Sequence, residues 1–251
     1  MKKENQPNED NWFASWFDSP FYPLLYRHRN EEEASMALHN LHAFLKLPAG
    51  STVLDLCCGQ GRHSRTLSQL GYKVTGIDLS PSSIAVAKSL SQDRQMFEIQ
   101  DMRTFDVNQH FDAVFNLFTS FGYFTNSSDN LRVLHRISAH LPLDGLLIID
   151  YLNAFPLFAQ TYQENRSKVD DVSFYTRKFI EGDFIVKLIE VTADSGSIYH
   201  FREQVQLITL DHFRSMLSEA GFEVVNTFGN YHLEAFTPET SERCIIIARK
   251  T

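Results

Sequence analysis

Apolar residues recur along this chain in two rhythms. From residue 31 to 47, Ala34, Leu38, Leu41, Phe44 and Leu45 fall at helical spacing, after which compact apolar runs read as buried strands. The order that follows is strand 52–57, helix 62–70, strand 73–79, helix 81–90, strand 96–100, strand 111–118, helix 128–141 and strand 145–151. Ser80 before Pro81 predicts an N-cap and a first helical residue, and Asp144-Gly145 predicts a turn. Such alternation builds a parallel sheet with helices on both faces, and a ligand then lies beyond the carboxyl ends of the strands. After Asn153 the rhythm changes. Residues 172–180, 184–192 and 198–208 alternate apolar and polar side chains, with turn signals Glu181-Gly182-Asp183 and Asp194-Ser195-Gly196-Ser197 between them, which predicts an antiparallel meander. Thr209 then caps a helix over 209–220, Gly221 stops it, and strands 222–228 and 244–248 follow.

Composition narrows this picture. With 251 residues and 43% hydrophobic content, the chain buries a core as one large α/β domain or as a domain with an insertion. Its formal charge of -8 gives no chain-wide field for a phosphate backbone, which makes nucleic acid a poor partner. Cys57, Cys58 and Cys244 form neither a disulfide framework nor metal-ligand spacing, and no apolar stretch is long enough to span a bilayer. A cytoplasmic protein without membrane or metal is therefore expected. Residues 1–10 are polar and expected to be disordered, whereas residues 12–26 are dense in Trp, Phe and Tyr. That stretch reads either as an aromatic lid or as a helix packing its rings on the core, and both can hold for different rings.

The chemistry concentrates where the first strand breaks. In Val53-Leu54-Asp55-Leu56-Cys57-Cys58-Gly59-Gln60-Gly61-Arg62-His63 an apolar run gives way to two glycines just where a helical pattern starts. Seventeen positions after Gly61, Asp78 ends the next apolar run, where a strand-tip carboxylate can accept both hydroxyls of a ribose. A dinucleotide site would carry a third glycine where this chain has Ser64, and would not need Asp101-Met102 after the third strand. One nucleoside fits better than a pyrophosphate-linked pair.

Leu54-Asp55-Leu56-Cys57-Cys58-Gly59-Gln60-Gly61, Gly76-Ile77-Asp78-Leu79-Ser80 and Gln100-Asp101-Met102 together resemble the three cofactor motifs of class I S-adenosylmethionine-dependent methyltransferases, closely over residues 50 to 153. The resemblance implies an α/β fold: a doubly wound, mostly parallel seven-stranded sheet with an antiparallel β insertion after the fifth strand. It divides the chain into an N-terminal helical lid (1–47), a cofactor-binding core (48–153), an insertion serving substrate recognition or a dimer contact (154–208) and the remainder of the core sheet (209–251). It implies S-adenosylmethionine as methyl donor, S-adenosylhomocysteine as product and a small-molecule acceptor.

The same resemblance assigns roles. Gly59 and Gly61 let the backbone approach the methionine part of the cofactor, Gly61 also permits close strand-to-helix packing, Asp55 can accept from the cofactor ammonium directly or through water, and Asp78 takes the ribose. Asp101 accepts from the adenine amine beside the backbone amide of Met102, Leu79 flanks the ring, Leu117 offers backbone, and Tyr26 belongs to the lid. Residues 118–124 form a substrate wall. Methyl transfer works mainly by alignment, so a base is optional; His63, Tyr123, Tyr151 and His200 are candidates among which no spacing selects. Arg62 and His63 at the helix start could hold an anionic group. The rivals are an RNA or protein methyltransferase, marked by a basic surface or a long groove, a non-catalytic nucleotide-binding module, marked by a filled cavity, and a nicotinamide dehydrogenase.

Overall fold

The computed structural model describes residues 11–27, 31–159 and 162–251. Residues 1–10, for which the sequence predicts disorder, lie outside the described residues. The chain begins with α1 (Trp12–Phe17), α2 (Tyr22–Leu25) and α3 (Glu31–Leu45). It then alternates β1 (Thr52–Leu56), α4 (Arg62–Gln69), β2 (Lys73–Asp78), α5 (Pro81–Ser89), β3 (Gln95–Ile99), β4 (Ala113–Asn116), α6 (Ser127–Ala139) and β5 (Leu146–Leu152). Four strands follow, β6 (Gln163–Val169), β7 (Val172–Glu181), β8 (Phe184–Thr192) and β9 (Ile198–Gln206), and the chain closes with α7 (Leu210–Glu219), β10 (Phe222–Phe228) and β11 (Arg243–Lys250).

Seven strands form the main sheet in the order β10-β11-β5-β4-β1-β2-β3. Strands β1 to β5 pair in parallel, and β11 runs antiparallel to both β5 and β10. The sheet is buried on both faces, which is why its strands read as continuous apolar runs. Leu54, Val114 and Ile149 pack toward Trp12, Trp16 and Phe105, whereas Val53, Phe115 and Ile148 pack toward Leu38 and Leu41 of α3. From β1 the chain proceeds to one edge through β2 and β3, then returns to the other side of β1 as β4. This reversal of strand order opens a crevice beyond the carboxyl ends of β1 and β4.

Two features depart from the sequence reading. The insertion has four strands rather than three, because β6 pairs with β7 along its whole length. Its sequence, Gln163-Glu164-Asn165-Arg166-Ser167-Lys168-Val169, is mostly exposed, so backbone pairing holds an edge strand that shows no apolar alternation. The aromatic segment is also two short helices rather than one. Pro20 disfavours helical backbone at Ser19, and Asp18 leaves α1 to cap α5, its Oδ1 accepting from Ser80 Oγ at 2.6 Å and Ser82 N at 3.0 Å. Among the described residues no helix is long and apolar enough to cross a membrane.

Sequence-readable caps hold the helices in place. Ser80 Oγ accepts from Ser83 N at 3.1 Å, and Thr209 Oγ1 accepts from His212 N at 3.3 Å. Thr209→Ala should lower unfolding stability by about 1 kcal/mol, seen as a lower urea midpoint at constant slope. An unchanged midpoint would show that the cap contributes nothing.

Candidate active site

Beyond β1 the backbone turns sharply. Cys57 takes φ 64°, Gly59 φ 54° and Gly61 φ 76°, and Gly61 starts α4 without any side-chain cap. A left-handed cysteine is uncommon and costs energy that its surroundings must offset. The two glycines do different work. A Cβ at Gly59 would meet nothing within 4 Å, and this residue lines a cavity of about 760 Å³, so its bare face is turned to a ligand space. A Cβ at Gly61 would lie 3.0 Å from Phe97 and 3.3 Å from Ala87; Gly61 lets α4 approach the sheet and does not line the cavity.

Asp78, at the tip of β2, holds the turn. Its Oδ2 accepts from Gly59 N and its Oδ1 from Ser80 N, both at 2.9 Å. Each oxygen keeps an acceptor site. Burial pushes this carboxyl above its ordinary range, against the pull of those amides. Asp55 sits a layer deeper, buried in β1, with Oδ2 accepting from Ser64 Oγ at 2.5 Å. Burial, with a smaller push from Asp78, raises it to about 6 although the Ser64 bond pulls the other way. Asp55 is not among the residues that line the cavity, and its carboxylate positions the first turn of α4 through Ser64.

Asp78, Leu79, Asp101, Met102 and Gly59 line one narrow hollow of about 100 Å³, covered by Phe13, Phe17, Tyr22, Tyr123 and Phe124. The three strand tips thus meet as the motif order implies. The Asp101 carboxylate is, however, clasped by Arg103, with Oδ1 to Arg103 N at 2.8 Å and Oδ2 to Nη2 at 2.6 Å. Burial pushes Asp101 up, but these bonds outweigh it and leave the carboxyl below its ordinary value. The Arg103 guanidinium also lies 5.6 Å from the Phe13 ring centre and 4.8 Å from that of Phe124, fastening the aromatic cover to the β3 tip. The sequence reading missed Arg103, because its role arises only when the Phe13 and Phe124 rings come beside it.

The hollow adjoins the 760 Å³ cavity, sharing Phe17, Tyr22, Cys57, Gly59 and Tyr123 with it. Leu117, Phe118, Thr119 and Ser120 line the cavity beyond β4. Phe118 and Thr119 both have positive φ, 61° and 64°, a strained pair at a cavity mouth. Asp150 on β5 holds them: its Oδ2 accepts from Phe118 N and Tyr231 Oη, each at 2.9 Å, its Oδ1 from Arg243 Nε at 2.8 Å, and its carbonyl from Thr119 N at 2.9 Å. The expected wall is mixed. Phe121 is core, packed on Phe213, whereas Phe118 and Tyr123 face the cavity.

The four candidate bases separate. Tyr151 is fully buried, donates to Gln206 O at 2.5 Å, and lies outside the cavity. His200 sits on β9 with an exposed ring near Glu190, also outside it. His63 and Tyr123 do line the cavity. Tyr123 donates to Thr119 O at 2.8 Å, and burial lifts its hydroxyl well above the usual value, so it is a hydrogen-bond donor rather than a base. Burial, helped by Arg62 and Arg65, lowers His63 to about 3, which leaves a neutral ring with little hold on a proton.

Tyr26 lies in the wall of the large cavity and not in the narrow hollow. Its hydroxyl donates to Glu203 Oε2 at 2.5 Å and accepts from Lys187 Nζ at 2.6 Å, tying the N-terminal segment to the insertion. Trp12 and Trp16 are buried core, while Phe17 and Tyr22 line the cavity, so the aromatic stretch is cover and core at once. From the insertion, Lys178, Ile185, Lys187, Glu203 and Val205 complete the wall.

The chain matches a family model described as methyltransferase domain over residues 26–227. Similar sequences include dTDP-3-amino-3,6-dideoxy-alpha-D-glucopyranose N,N-dimethyltransferase of Streptomyces fradiae, 27% identical over 70% of this chain and 72% of that one. Another is glycine/sarcosine N-methyltransferase of Parasynechococcus marenigrum, 27% identical over 78% and 71%. Solved structures with the same fold include an S-adenosylmethionine-dependent methyltransferase from Clostridium acetobutylicum, with TM-score 0.79, 18% identity and coverage of 92% and 96%. An amino pentose methyltransferase from Micromonospora echinaspora, solved with S-adenosylmethionine bound, gives TM-score 0.70, 22% identity and coverage of 93% and 98%.

The His63 environment has a direct readout. With a folded value near 3 against 6.5 for an ordinary imidazole, its contribution to stability is complete above about pH 6.5 and is lost as pH falls toward 3. The His63 ring resonances should stay constant from pH 5 to 8 in a titration followed by NMR. A His63 midpoint near 6.5 would contradict the buried neutral ring.

Proposed function

The chain belongs to the methyltransferase-domain family that matches residues 26–227, and from that premise we propose that it transfers the methyl group of S-adenosylmethionine to an amino nitrogen of a small molecule. One observation carries the reading: the tips of β1, β2 and β3 bring Gly59, Asp78, Leu79, Asp101 and Met102 around one hollow, which adjoins a cavity walled on its far side by the insertion. Donor and acceptor thereby have separate approaches to a common space. Nitrogen is supported by the relatives named above, an amino-sugar N,N-dimethyltransferase and a glycine/sarcosine N-methyltransferase.

The residues present fit this donor. The Gly59 surface leaves room where any side chain would intrude. The remaining acceptor sites of Asp78 suit the two ribose hydroxyls. The uncapped start of α4 offers free N–H groups to the carboxylate of the amino-acid tail. Tyr22 and Tyr123 present rings toward the shared space, where π-faces suit a cationic sulfur.

S-adenosylmethionine, when bound, supplies an electrophilic methyl on that sulfur. An acceptor nitrogen aligned with it would take that methyl through its lone pair, the C–S electrons staying on sulfur, and the proton of the new ammonium would leave to bulk solvent once the product departs. The chain's part is alignment and exclusion of water, which can account for roughly 7–11 kcal/mol of the barrier. Neither His63 nor Tyr123 is built to take a proton at neutral pH.

Calorimetry with S-adenosylmethionine, followed by transfer of labelled methyl to panels of small amines, alcohols and thiols, tests this reading. The wild type should bind the donor and label amines. Gly59→Val, which forces a β-branched residue into positive φ and fills the ligand path, should bind no donor. Failure of the wild type to bind, normal binding by the variant, or label found only on oxygen or sulfur would overturn it.

A further inference from the structure

The far wall of the cavity carries a charge arrangement that the donor does not use. In the insertion sheet, Lys178 on β7 stands directly opposite Lys187 on β8, and Lys187 directly opposite Glu203 on β9. The three form one row across the strands, and all line the 760 Å³ cavity. Like charges placed directly opposite on paired strands destabilise a sheet. Here they are also partly buried, Lys187 with about 25% of its side chain exposed.

The local countercharge falls short. Glu203 Oε2 lies 3.8 Å from Lys187 Nζ and takes the Tyr26 hydroxyl at 2.5 Å. Among the described residues no carboxylate comes within ion-pair distance of Lys178, and it lines the cavity with its ammonium desolvated and beside another. Of the other cations that line the cavity, Arg27 pairs with Asp170 at 2.7 Å, Arg243 pairs with Asp150 at 2.7 Å, and Arg62 lies 4.6 Å over the Phe118 ring centre. A chain of net charge -8 thus keeps two ammonium groups and one carboxylate together where a ligand enters. Tyr26, Arg27, Lys178 and Lys187 also line a second recess of about 690 Å³ under β6 and β7, so space continues past the lysines.

We propose that the Lys178–Lys187 pair is the acceptor's recognition site, and that it takes an anionic group of the acceptor, a phosphate or a carboxylate, carried at a distance from the atom that is methylated. The proposal rests on the methyltransferase reading and deepens it: the anion neutralises the unpaired lysine, and the insertion thereby selects acidic small molecules. Lys178 and Lys187 act as binding residues, distant from the strand tips that hold the donor.

The test is calorimetry on the full chain, with and without saturating S-adenosylhomocysteine, using inorganic pyrophosphate and, separately, acetate as probes. At least one anion should bind saturably. Lys178→Gln and Lys187→Gln should each weaken that binding by about tenfold or more, as loss of a charge-assisted contact implies. Lys178→Arg should restore it, and affinity for S-adenosylhomocysteine should stay within about twofold in both Lys178 variants, because Lys178 lies outside the hollow that the strand tips form. Pyrophosphate binding alone would identify a phosphate-bearing acceptor, and acetate binding alone a carboxylate. Binding of neither anion, equal affinity in the Gln variants, or no recovery with arginine would overturn the proposal. Absence of S-adenosylhomocysteine binding in the wild type would instead remove the donor reading, whatever the anions do.

Discussion

The carboxylate of Asp78 joins the turn after β1 to the start of α5. By accepting from Gly59 N on one side and Ser80 N on the other, it fixes the β1 turn against the start of α5 while still facing the hollow. A buried carboxylate that accepts two amides is stabilised where it stands, and one that also keeps free lone pairs beside a cavity is ready for two further donors. Asp78 holds the glycine turn at Gly59 N, beside the β1–β2 pairing and the Cys58 N to Ile77 O bond that bring the two strand tips together. Asp55 supports the same turn from beneath through Ser64.

Around that centre the cavity is polarised. Asp78 and Asp101 lie at the strand tips, the latter clasped by Arg103, while Lys178, Lys187 and Glu203 lie on the insertion. Aromatic rings from α1 and α2 cover the junction, pinned by Arg103 at the β3 tip and by the Lys187–Tyr26–Glu203 chain at the insertion. The strained backbone at Phe118 and Thr119, clamped by Asp150, completes the mouth. The Lys187–Tyr26 and Tyr26–Glu203 bonds join residues 161 and 177 positions apart, so the site is a product of the whole fold.

Much of this was legible in the sequence for identifiable reasons. The core strands are apolar because helices cover both faces of the sheet, and the glycine turn and strand-tip acids stand out because backbone geometry demands those residue types. What escaped notice depends on tertiary partners. The β6 strand is polar and held by backbone pairing, so it has no rhythm to detect. Lys178 and Glu203 look like ordinary wet-face charges until register aligns them with Lys187. The bond from Ser64 to Asp55 joins the first strand to the helix after it, a contact that no spacing rule marks. The α1–α2 break and the clasp of Asp101 by Arg103 are local in sequence but acquire meaning only when the aromatic segment lies across the strand tips.

The most direct measurement is a crystal structure of the chain with S-adenosylhomocysteine. The account predicts both ribose hydroxyls within hydrogen-bonding distance of the Asp78 carboxylate, the adenine beside Met102 and the amino-acid tail over the bare backbone of Gly59. A nucleoside bound elsewhere, or one at the strand tips whose ribose does not touch Asp78, would contradict it.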